Sequence, residues 1–537
     1  MQAVILAGGK GTRLADRLGE RPKPLIDVCS VPLLQRQIEA LRANGVSKIV
    51  LLVNHKAEQI RDFCSHADDF GVSVVIIDDG EPRGTAGALL ACLDALEERF
   101  LVVYGDTLFD LDIPRMVTAH EDAGADVTLL VHPNDHPADS DLVSTRDDGQ
   151  IVAFHAYPHD PRAILPNLVN AAFYVAERAA LEAWRDFPVP SDLAKDLFPA
   201  MVAQGQHLLA YRSFEYIKDL GTPKRLDKVE AHLRAGRPAR ARLDVPQPCV
   251  FLDRDGTLNH LRGHISRAED LDLLPGAAGA VRRLNDAEFR VAVVTNQPVL
   301  ARGECTPAEL TRIHWKLESL LGREGAFLDG IWWCPHHPDS GFPGEVTALK
   351  RQCECRKPAP GLIVEAAGKL NCDLARSWMI GDTTSDMLAA RQAGLGSILV
   401  LTGERGEDGK YRCPSDFVAP DLDHAVRLIV EDIPRWTAAI DDAVALVSTA
   451  ETVLVESGSR NEGKALAAML ALLLRRRGVA AETSRQGHDA SRDAPFTLVT
   501  NDPDTAAQAG YPIRRVAIDL GAPTALMRKM SAGGGEA

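Results

Sequence analysis

Short apolar runs of strand length alternate with amphipathic, helix-length stretches along most of this chain. The clearest strand candidates are residues 49–53, 72–77, 100–104, 291–295 and 378–380. This alternation predicts α/β folds, in which helices cover both faces of mainly parallel sheets. Ligands of such sheets bind beyond the carboxyl ends of the strands. The residues that directly follow strands are therefore the candidates for chemistry.

A chain of 537 residues is too long to fold around a single hydrophobic core. We predict one domain over residues 1–236, a Pro- and Arg-containing linker over 237–247 and a second domain over 248–432. A small α/β region over 433–530 and a disordered tail over 531–537 are expected to follow. Each folded segment should therefore carry its own site.

The formal net charge of −15 argues against nucleic acid or an anionic membrane as the main partner. No stretch is apolar for long enough to cross a bilayer, and no targeting segment precedes the first strand. Cysteines that mostly occur singly favour a reducing compartment. We expect a cytoplasmic protein with small-molecule substrates, which can also form oligomers.

An Asp-Arg-Asp-Gly-Thr sequence follows the apolar strand at residues 250–252. It places Asp253 and Asp255 two residues apart, and a turn at Gly256 lets the second carboxylate reach beside the first. One carboxylate can attack phosphorus while its neighbour protonates the leaving oxygen and later takes a proton from water. The pattern predicts a phosphatase with Asp253 as covalent nucleophile and Asp255 as acid and base.

This segment resembles the haloacid-dehalogenase (HAD) phosphatase superfamily, and the rest of that family's pattern follows in order. Thr295 and Asn296 end the next strong strand, where the family uses a hydroxyl or an amide to hold the transferring phosphoryl group. Arg356 and Lys357 lie in an Arg-Lys-Pro segment, which implies the cation that steadies the phosphoaspartate.

A further strand ends in Ile-Gly-Asp-Thr-Thr-Ser-Asp. The resemblance implies that Asp382 holds Mg²⁺ together with Asp253 and Asp255, and that Asp386 lies behind it. Many relatives carry Lys where this chain has Thr383. That difference removes a positive charge near the phosphate and leaves substrate identity and rate open.

Three cysteines and a histidine lie close together in sequence, at Cys334, His336, Cys353 and Cys355. Three thiolates and an imidazole suit a closed, tetrahedral zinc site of the structural kind, which would pin a loop over the active centre. His337 is adjacent and could replace His336, although the resemblance implies His336.

The aspartate, cysteine and lysine motifs together resemble the heptose 1,7-bisphosphate 7-phosphatases, with histidinol-phosphate phosphatases as close relatives. The resemblance covers about residues 248–430. It implies a HAD-type, Rossmannoid phosphatase domain with Mg²⁺ and structural Zn²⁺ as cofactors.

A glycine-rich loop with nearby cations follows the first strand of the chain. Glycines let backbone amides approach a triphosphate, and cations neutralise its charge. A second glycine-containing segment could face the nucleobase and sugar. The predicted nucleotide-binding residues are Gly8, Gly9, Gly11, Thr12, Arg13, Lys23, Gly84, Thr85 and Gly87.

Two carboxylates from distant segments complete this pattern: Asp106 follows a strand, and Asp219 precedes a Leu-Gly-Thr-Pro turn. Such a pair can hold an Mg²⁺ ion that stabilises an in-line displacement at phosphorus. We predict that a sugar 1-phosphate oxygen attacks the α-phosphorus of an NTP, with pyrophosphate as the leaving group.

These segments resemble the sugar-1-phosphate nucleotidyltransferases over about residues 1–235, and heptose 1-phosphate guanylyltransferases in particular. The resemblance implies a Rossmann-like domain with Asn170 as a sugar-binding residue. The usual Gly near it is Ala172 here. The family's Glu-Lys pair, whose lysine touches the sugar phosphate, is replaced around His155. Either sugar recognition is altered, or His155 substitutes for that lysine.

Residues Gly458 to Ala465 have the spacing of a phosphate-binding P-loop. Ala465 replaces the Ser or Thr whose hydroxyl ligates magnesium, and the chain that follows is short for a kinase. A small α/β scaffold or docking module with a degenerate P-loop is therefore favoured over ATP binding.

The two domains together predict a bifunctional enzyme of NDP-heptose biosynthesis, because a 7-phosphatase supplies the heptose 1-phosphate that a nucleotidyltransferase consumes. GMP transfer from GTP is the favoured reaction. One alternative keeps both chemistries on another sugar, such as mannose 1-phosphate, or on a histidinol-phosphate-type substrate. Another makes the first domain a regulatory nucleotide-binding module without turnover.

Overall fold

The structure, a computed structural model, describes residues 1–9, 11–66, 70–160 and 162–435. It also describes four strands, at residues 452–456, 482–484, 497–499 and 513–517. The chain divides into two compact units, Met1–Pro246 and Gln247–Ala537. Among the described residues, no helix combines the length and the apolar character that crossing a membrane demands.

The first unit is built on a nine-stranded mixed sheet flanked by two short strand pairs. Its strands are β1 Gln2–Leu6, β2 Asp27–Val28, β3 Val31–Pro32, β4 Lys48–Val53, β5 Ser73–Asp78, β6 Arg99–Tyr104, β7 Thr107–Asp110, β8 Val127–His132, β9 Leu142–Thr145, β10 Ile151–His155, β11 Val169–Glu177, β12 Leu208–Arg212 and β13 Tyr216–Asp219. Its helices are α1 Ala15–Leu18, α2 Leu33–Ala43, α3 Ala57–His66, α4 Gly84–Ala91, α5 Ile113–Ala123, α6 Arg178–Glu182, α7 Phe198–Ala203, α8 Pro223–Arg234 and α9 Arg237–Arg240.

Four neighbouring strands of this sheet are parallel, in the order β6-β1-β4-β5. Strand β1 is covered on both faces, since Ala3, Val4 and Ile5 are fully buried. Helix α2 buries one apolar stripe that includes Ile38 and Leu41, as an amphipathic helix packed on a sheet does. The carboxyl ends of the four strands therefore meet at one edge.

The second unit contains a six-stranded, all-parallel sheet in the order β16-β15-β14-β17-β18-β19. Its strands are β14 Cys249–Leu252, β15 Arg290–Asn296, β16 Gly330–Cys334, β17 Trp378–Gly381, β18 Gly396–Val400 and β19 Phe417–Ala419. Its helices are α10 Ala277–Asp286, α11 Pro307–Arg323, α12 Gly361–Leu370, α13 Thr384–Ala393 and α14 Leu422–Arg427. Strand β14 lies between β15 and β17, so the segments that follow these three strands are neighbours.

The predicted α/β class is confirmed in both units. The segment predicted as a linker is partly ordered into the first unit, because residues 237–240 form helix α9 and Arg242 pairs with Asp110 at 3.0 Å. In the C-terminal region, β20 Thr452–Glu456 pairs parallel with β23 Ile513–Ala517, and β21 Glu482–Ser484 pairs antiparallel with β22 Thr497–Val499. The P-loop-like residues 458–465 and the tail 531–537 lie outside the described residues.

Candidate active sites

Two neighbouring strand ends and the start of one helix build a cluster of charges in the second unit. Asp253 follows β14, Asp382 follows β17, and Asp386 lies in the first turn of α13. Their carboxylate oxygens lie within 4.8 Å of one another, and all three residues are buried. The ammonium group of Lys357 lies 2.8 Å from Asp253 and 2.6 Å from Asp386. The structure thus brings together the ends of three of the predicted motifs.

Burial and mutual repulsion shift the pKa values of this cluster. Burial raises the pKa of Asp253 to about 6, against the opposing attraction of Lys357. Burial and repulsion from Asp253 and Asp386 raise the pKa of Asp382 to about 8. One oxygen of Asp382 accepts a hydrogen bond from the Glu404 amide, whereas its Oδ1 is buried with no donor among the described residues. These features indicate a place for a divalent cation.

A tight turn at Gly256 allows the cluster to close. The residue has φ +83°, and a Cβ atom there would lie 2.3 Å from a carboxylate oxygen of Asp382. The turn needs glycine for both reasons, since other residues rarely adopt this backbone conformation and none would fit.

The side chain of Asp255 lies outside the group of three buried carboxylates, and its role as a magnesium ligand stays a prediction. Its carboxylate accepts hydrogen bonds from Arg254, Asn259 and Gln297 at 2.8–3.2 Å. Burial opposes ionisation of this carboxyl group, but these donors, Arg254 first, hold its pKa below the usual value. The carboxylate grouped with Asp253 and Asp382 is that of Asp386 instead. Asp255 therefore remains a candidate for proton transfer.

Asn296, whose amide is predicted to hold the phosphoryl group, contacts the lysine segment. Asn296 exchanges two hydrogen bonds of 3.0 Å with the backbone of Lys357, so it fixes the lysine segment. The Thr295 hydroxyl is buried and accepts a bond from Gln297 at 2.9 Å. Arg356 donates to the carbonyl of His336 at 3.1 Å, so its guanidinium binds the cysteine loop.

Thr383, the residue that departs from the family pattern, caps helix α13. Its hydroxyl donates to Asp386 at 2.7 Å, and its amide donates to the same oxygen at 3.1 Å. Lys357 approaches the other oxygen of Asp386. Both oxygens of Asp386 are thus occupied, which leaves Asp253 and Asp382 as the freer metal ligands.

The predicted cysteine and histidine residues converge at the carboxyl end of β16. Cys334, Cys353 and Cys355 have Sγ–Sγ separations of 3.2–3.5 Å, and Nδ1 of His336 lies 3.3 Å from Cys355. Ligands of a small tetrahedral metal ion have separations of this order. The structure selects His336 over His337, whose Nδ1 accepts from the Asp339 amide instead.

A cavity of about 310 Å³ lies at the carboxyl ends of β1, β4 and β5 in the first unit. It collects most of the predicted nucleotide-binding residues: Gly8, Gly9, Gly11, Lys23, Gly84 and Thr85, together with Asp106. Gly84 has φ +72°, and a Cβ atom there would lie 2.1 Å from the Ser191 carbonyl, so this close approach requires glycine.

A second cavity, of about 430 Å³, shares Tyr104 and Asp106 with the first. It contains Asn170 and Asp219, and Arg13 lies here rather than in the first cavity. The two spaces are therefore adjacent, and the carboxylate of Asp106 lies at their junction.

The two predicted magnesium ligands of this unit, Asp106 and Asp219, each form an ion pair with a basic side chain. Asp106 forms an ion pair with Lys23. Asp219 accepts from Arg225 at 2.8 and 3.0 Å and from the Gly221 amide at 3.0 Å. Burial opposes ionisation of Asp219, but Arg225 outweighs it and holds the pKa below its usual value. Both carboxylates are thus paired with cationic side chains of the protein.

Three predicted residues lie outside these cavities. Thr12 is exposed at the surface, and Gly87 packs inside helix α4 against Arg83 and Val189. His155 bonds to the Ser144 hydroxyl at 2.7 Å and does not line the second cavity. The cations that line it, besides Arg13 and Arg225, are Lys195 and Lys218, which the sequence motifs did not single out.

Lys218 is a half-buried lysine without an ion pair among the described residues. Burial lowers its pKa from the usual value, and Asp135 only partly opposes this effect. The carboxylate of Asp135 itself is bound to Lys228 at 2.6 Å. A signal for Lys218 was present in the sequence, since it immediately precedes Asp219, but only the three-dimensional structure shows that it lines the cavity.

Comparison with known proteins matches the two units separately. Residues 2–236 match the model of the nucleotidyl transferase family, and residues 354–425 match the HAD-hydrolase-like model. A D-glycero-D-manno-heptose-1,7-bisphosphate 7-phosphatase of Thermosynechococcus vestitus is 42% identical over 192 residues, which are 34% of this chain and 96% of that protein. The corresponding D-glycero-beta-D-manno-heptose-1,7-bisphosphate 7-phosphatase of Yersinia pestis is 40% identical over 158 residues, 29% of this chain and 82% of that protein.

Two solved structures are similar to separate parts of this chain. HddC from Yersinia pseudotuberculosis is 26% identical, with a TM-score of 0.38, and the match covers 43% of this chain and 99% of that one. The D,D-heptose 1,7-bisphosphate phosphatase of B. bronchiseptica, complexed with magnesium and phosphate, is 34% identical, with a TM-score of 0.31, and the match covers 34% of this chain and 98% of that one. The family matches confirm the predicted pair of enzyme classes, nucleotidyltransferase and phosphatase.

Proposed function

Since this chain belongs, through its second unit, to the family of D-glycero-D-manno-heptose-1,7-bisphosphate 7-phosphatases, we propose that it makes an NDP-heptose in two steps. The second unit removes the C7 phosphate of the heptose 1,7-bisphosphate. The first unit then transfers a nucleotidyl group, GMP from GTP, to the heptose 1-phosphate. The observation that carries the proposal is the carboxylate of Asp253, which follows the central strand β14 and lies 2.8 Å from the ammonium group of Lys357.

In the first step, an oxygen of Asp253 forms a bond to the C7 phosphorus while the bond from phosphorus to the sugar oxygen breaks. Asp255, whose pKa the free site holds below its usual value, must take up a proton as the substrate binds. It gives that proton to the departing oxygen and later takes one from the water that hydrolyses the phosphoaspartate. Lys357 neutralises charge beside the nucleophile. Asp253 and Asp382 would hold Mg²⁺, which when bound would supply positive charge for the phosphoryl oxygens.

Support for this cation comes from the residues themselves. Repulsion within the cluster and burial of Asp382 hold its pKa near 8, and its Oδ1 has no protein donor among the described residues. Two buried carboxylates with oxygens left free are ligands that magnesium prefers.

In the second step, an oxygen of the sugar 1-phosphate attacks the α-phosphorus of the NTP, and pyrophosphate leaves. The glycine loop of the first cavity receives the phosphates through its backbone amides. Lys23 exchanges Asp106 for a phosphate, which frees that carboxylate to hold Mg²⁺ with Asp219. Arg13, at the second cavity, neutralises charge on the reacting groups.

The sugar 1-phosphate occupies the second cavity. Asn170 lines it, with its amide donating to the Tyr174 hydroxyl at 3.0 Å and its Oδ1 accepting from the Ala172 amide. Lys195 and Lys218 supply the positive charge that the family's missing lysine would give. We therefore assign sugar-phosphate binding to these two lysines rather than to His155.

Zinc is proposed for the cysteine loop. Three thiol groups and Nδ1 of His336 present one tetrahedral set. Arg351 lies 2.9 Å from Nε2 of His336, so a metal on Nδ1, which leaves the proton on Nε2, requires this guanidinium to turn away. All ten cysteines are free, which supports a reducing, cytoplasmic location.

One incubation tests the proposal. The purified chain is mixed with heptose 1,7-bisphosphate, Mg²⁺ and the four NTPs, and products are identified by mass. We expect GDP-heptose, inorganic phosphate and pyrophosphate. Asp253→Asn should stop phosphate release but still convert supplied heptose 1-phosphate, whereas Asp106→Asn should do the reverse. Asp286→Asn, an exposed position at the end of α10, serves as the control.

The same experiment separates the alternatives. Efficient transfer to mannose 1-phosphate with none to heptose 1-phosphate would move the activity to another sugar. Nucleotide binding without pyrophosphate release would make the first unit regulatory. Loss of both activities in Asp253→Asn would contradict two independent sites.

A further inference from the structure

Gln297 is a buried side chain of the phosphatase unit that the proposed reaction does not use. The residue directly follows strand β15. Its side-chain nitrogen donates to Oδ2 of Asp255 at 2.9 Å and to the hydroxyl oxygen of Thr295 at 2.9 Å. An amide nitrogen carries two hydrogens, so this one group can serve both residues at once. Asp255 and Thr295 both have a part in the proposed reaction, and Gln297 joins them.

Arg254 fixes the orientation of this amide. The guanidinium is fully buried, and its Nη2 donates to Oε1 of Gln297 at 3.0 Å and to Oδ2 of Asp255 at 2.8 Å. Arginine carries donors only, so the amide oxygen faces Arg254 and the amide nitrogen faces Asp255 and Thr295. Half a turn of the amide would set donor against donor and acceptor against acceptor, and buried polar atoms left unpaired are unfavourable. The network therefore permits one orientation.

The orientation of the amide decides what the Thr295 hydroxyl can do. A hydroxyl group has one hydrogen to donate. The oxygen of Thr295 accepts from Gln297, and its hydrogen is donated to none of the described residues, so that hydrogen is available to a ligand. Strand β15 lies beside β14, which leads to Asp253. A phosphoryl oxygen at Asp253 is the acceptor that we expect for it.

The same amide restrains the carboxylate of Asp255. Among the described residues, the side chains of Arg254, Asn259 and Gln297 donate to it. The first two belong to the turn that contains Asp255 itself, whereas Gln297 follows the neighbouring strand. Without Gln297, the carboxylate would be held by its own turn alone. Its direction relative to the reacting groups would then be less well fixed.

We propose that Gln297 is a positioning residue of the phosphatase site. Its amide leaves the Thr295 hydroxyl free to donate to the phosphoryl group, and it holds Asp255 towards the leaving oxygen and the hydrolytic water. Gln297 acts through these two residues and not on the substrate. This inference rests on the proposed hydrolysis through a phosphoaspartate, and it identifies the side chain that coordinates the groups on either side of the phosphorus.

The substitution Gln297→Met tests the assignment, because it keeps the length of the side chain and removes both donors. A poorly directed acid and base should lower kcat for heptose 1,7-bisphosphate by about 10²-fold. KM should stay unchanged, because Gln297 contacts Asp255 and Thr295 rather than the substrate. Phosphate release at varied substrate concentration measures both constants.

A second substrate, p-nitrophenyl phosphate, separates the two chemical steps. An oxygen of Asp253 bonds to phosphorus, and p-nitrophenolate leaves as a stable anion that needs no proton from Asp255. Water then attacks the phosphoaspartate, gives its proton to Asp255 and releases inorganic phosphate. The second step should become the slower one in Gln297→Met, so a burst of about one p-nitrophenolate per site should precede slow turnover. Stopped-flow absorbance measures the burst, which should exceed that of the wild type.

Two further variants complete the test. Gln297→Glu keeps an oxygen that can face Arg254 but has no amide hydrogens, so it should be at least as slow as Gln297→Met. Gln392→Met, at an exposed position of helix α13, should change neither the rates nor the burst. A rapid burst also shows that the site of a slow variant is folded, since Asp253 must still react.

The outcomes distinguish this inference from the proposed function. If the wild-type chain releases no phosphate from heptose 1,7-bisphosphate, the proposed function is wrong, while p-nitrophenyl phosphate still reports on Gln297. If Gln297→Met keeps the wild-type kcat, or loses activity without a larger burst, the positioning role is overturned. A lower kcat at unchanged KM with a larger burst, repeated in Gln297→Glu but not in Gln392→Met, supports it.

Discussion

The two active sites of this chain handle charge in opposite ways. In the phosphatase unit, Asp253, Asp386 and Lys357 are buried and already in contact, at 2.6–2.8 Å. In the transferase unit, Asp106 and Asp219 line cavities of about 310 and 430 Å³ and hold protein cations that the substrates must displace. The first site is organised before its substrate arrives, whereas the second is completed by its ligands.

The difference follows from the chemistry. A covalent nucleophile needs a fixed neighbour that steadies both its free and its phosphorylated form. A direct displacement between two bound substrates needs space for both, and much of its charge comes with them. Removing one charged group should therefore damage the first site in structure and rate, but the second mainly in substrate binding.

Lys357→Met should give the largest effect. It leaves Asp253 and Asp386 buried without their cation, which should cost about 3–5 kcal/mol of the unfolding free energy of this unit. Phosphate release should fall by about 10²–10³-fold. Chemical denaturation and a phosphate assay measure the two losses.

Lys369→Met is the matched control, because this lysine is exposed and pairs with Glu365 on the surface of helix α12. Nucleotidyl transfer should remain at the wild-type rate in both variants. A Lys357→Met protein as stable as the wild type would show that the compact charge cluster does not stabilise the unit.

Cys353→Ser should have the next largest effect, again in the phosphatase unit only. The variant leaves two thiols and one imidazole, too few for a closed structural site, so zinc affinity should fall by at least about 100-fold. Metal analysis of the purified chain measures zinc, and thermal denaturation measures stability.

Cys372→Ser provides the comparison, because this cysteine lies outside the group of four. Equal zinc content in the wild type and the Cys353→Ser variant would contradict the zinc assignment. A decrease in nucleotidyl transfer would contradict the contrast between the sites.

The sequence predicted the organised site better than the open one, for a physical reason. Asp253 and Asp382 lie in short motifs directly after strands, and a parallel sheet brings neighbouring strand ends together. Lys357 lies in a loop motif ahead of helix α12. Once the strands were recognised, the cluster followed. The hydrogen bonds of Asp255 did not follow, because side-chain orientation after a turn depends on partners such as Gln297 that the motif does not specify.

The open site is assembled from segments with weaker signals. Lys195 lies outside every motif that was recognised, and Lys218 adjoins Asp219 without any pattern that marks it as a binding residue. Thr12 and Gly87 were included because of their place in glycine-rich segments, although neither lines a cavity. Proximity in sequence to a loop does not determine which side chains face its ligand.

Lys218→Met should produce a smaller effect than the phosphatase variants and of a different kind. Loss of one charge-assisted hydrogen bond to the sugar phosphate, worth about 1.5–3 kcal/mol, should raise KM for heptose 1-phosphate by about 10- to 100-fold. KM for the NTP should not change. Steady-state kinetics with each substrate varied in turn measures both constants.

Two control variants test whether the charge of Lys218 causes the effect. Lys218→Arg keeps the charge and should recover part of the affinity, whereas Lys224→Met, at an exposed position of helix α8, should have no effect. An equal rise in both KM values would indicate a structural role for Lys218.

Ala172→Gly should give the smallest effect and the opposite sign. Ala172 has φ +57°, the left-handed conformation, and it lies at the second cavity where relatives carry glycine. A left-handed backbone conformation destabilises a non-glycine residue by about 1–2 kcal/mol. Glycine avoids this cost, but its greater conformational entropy in the unfolded chain destabilises the folded state by about 0.5–1 kcal/mol. The Ala172→Gly variant should therefore be more stable by up to about 1 kcal/mol. Ala176→Gly is the control, because Ala176 lies in the same strand β11 but does not have a positive φ. That variant should be less stable than the wild type. Chemical denaturation of the transferase unit measures both. If both substitutions destabilise the unit, packing around the Ala172 side chain contributes more stability than its left-handed backbone costs. The sugar end of the transferase site would then be more rigid than a site completed by its ligands should be.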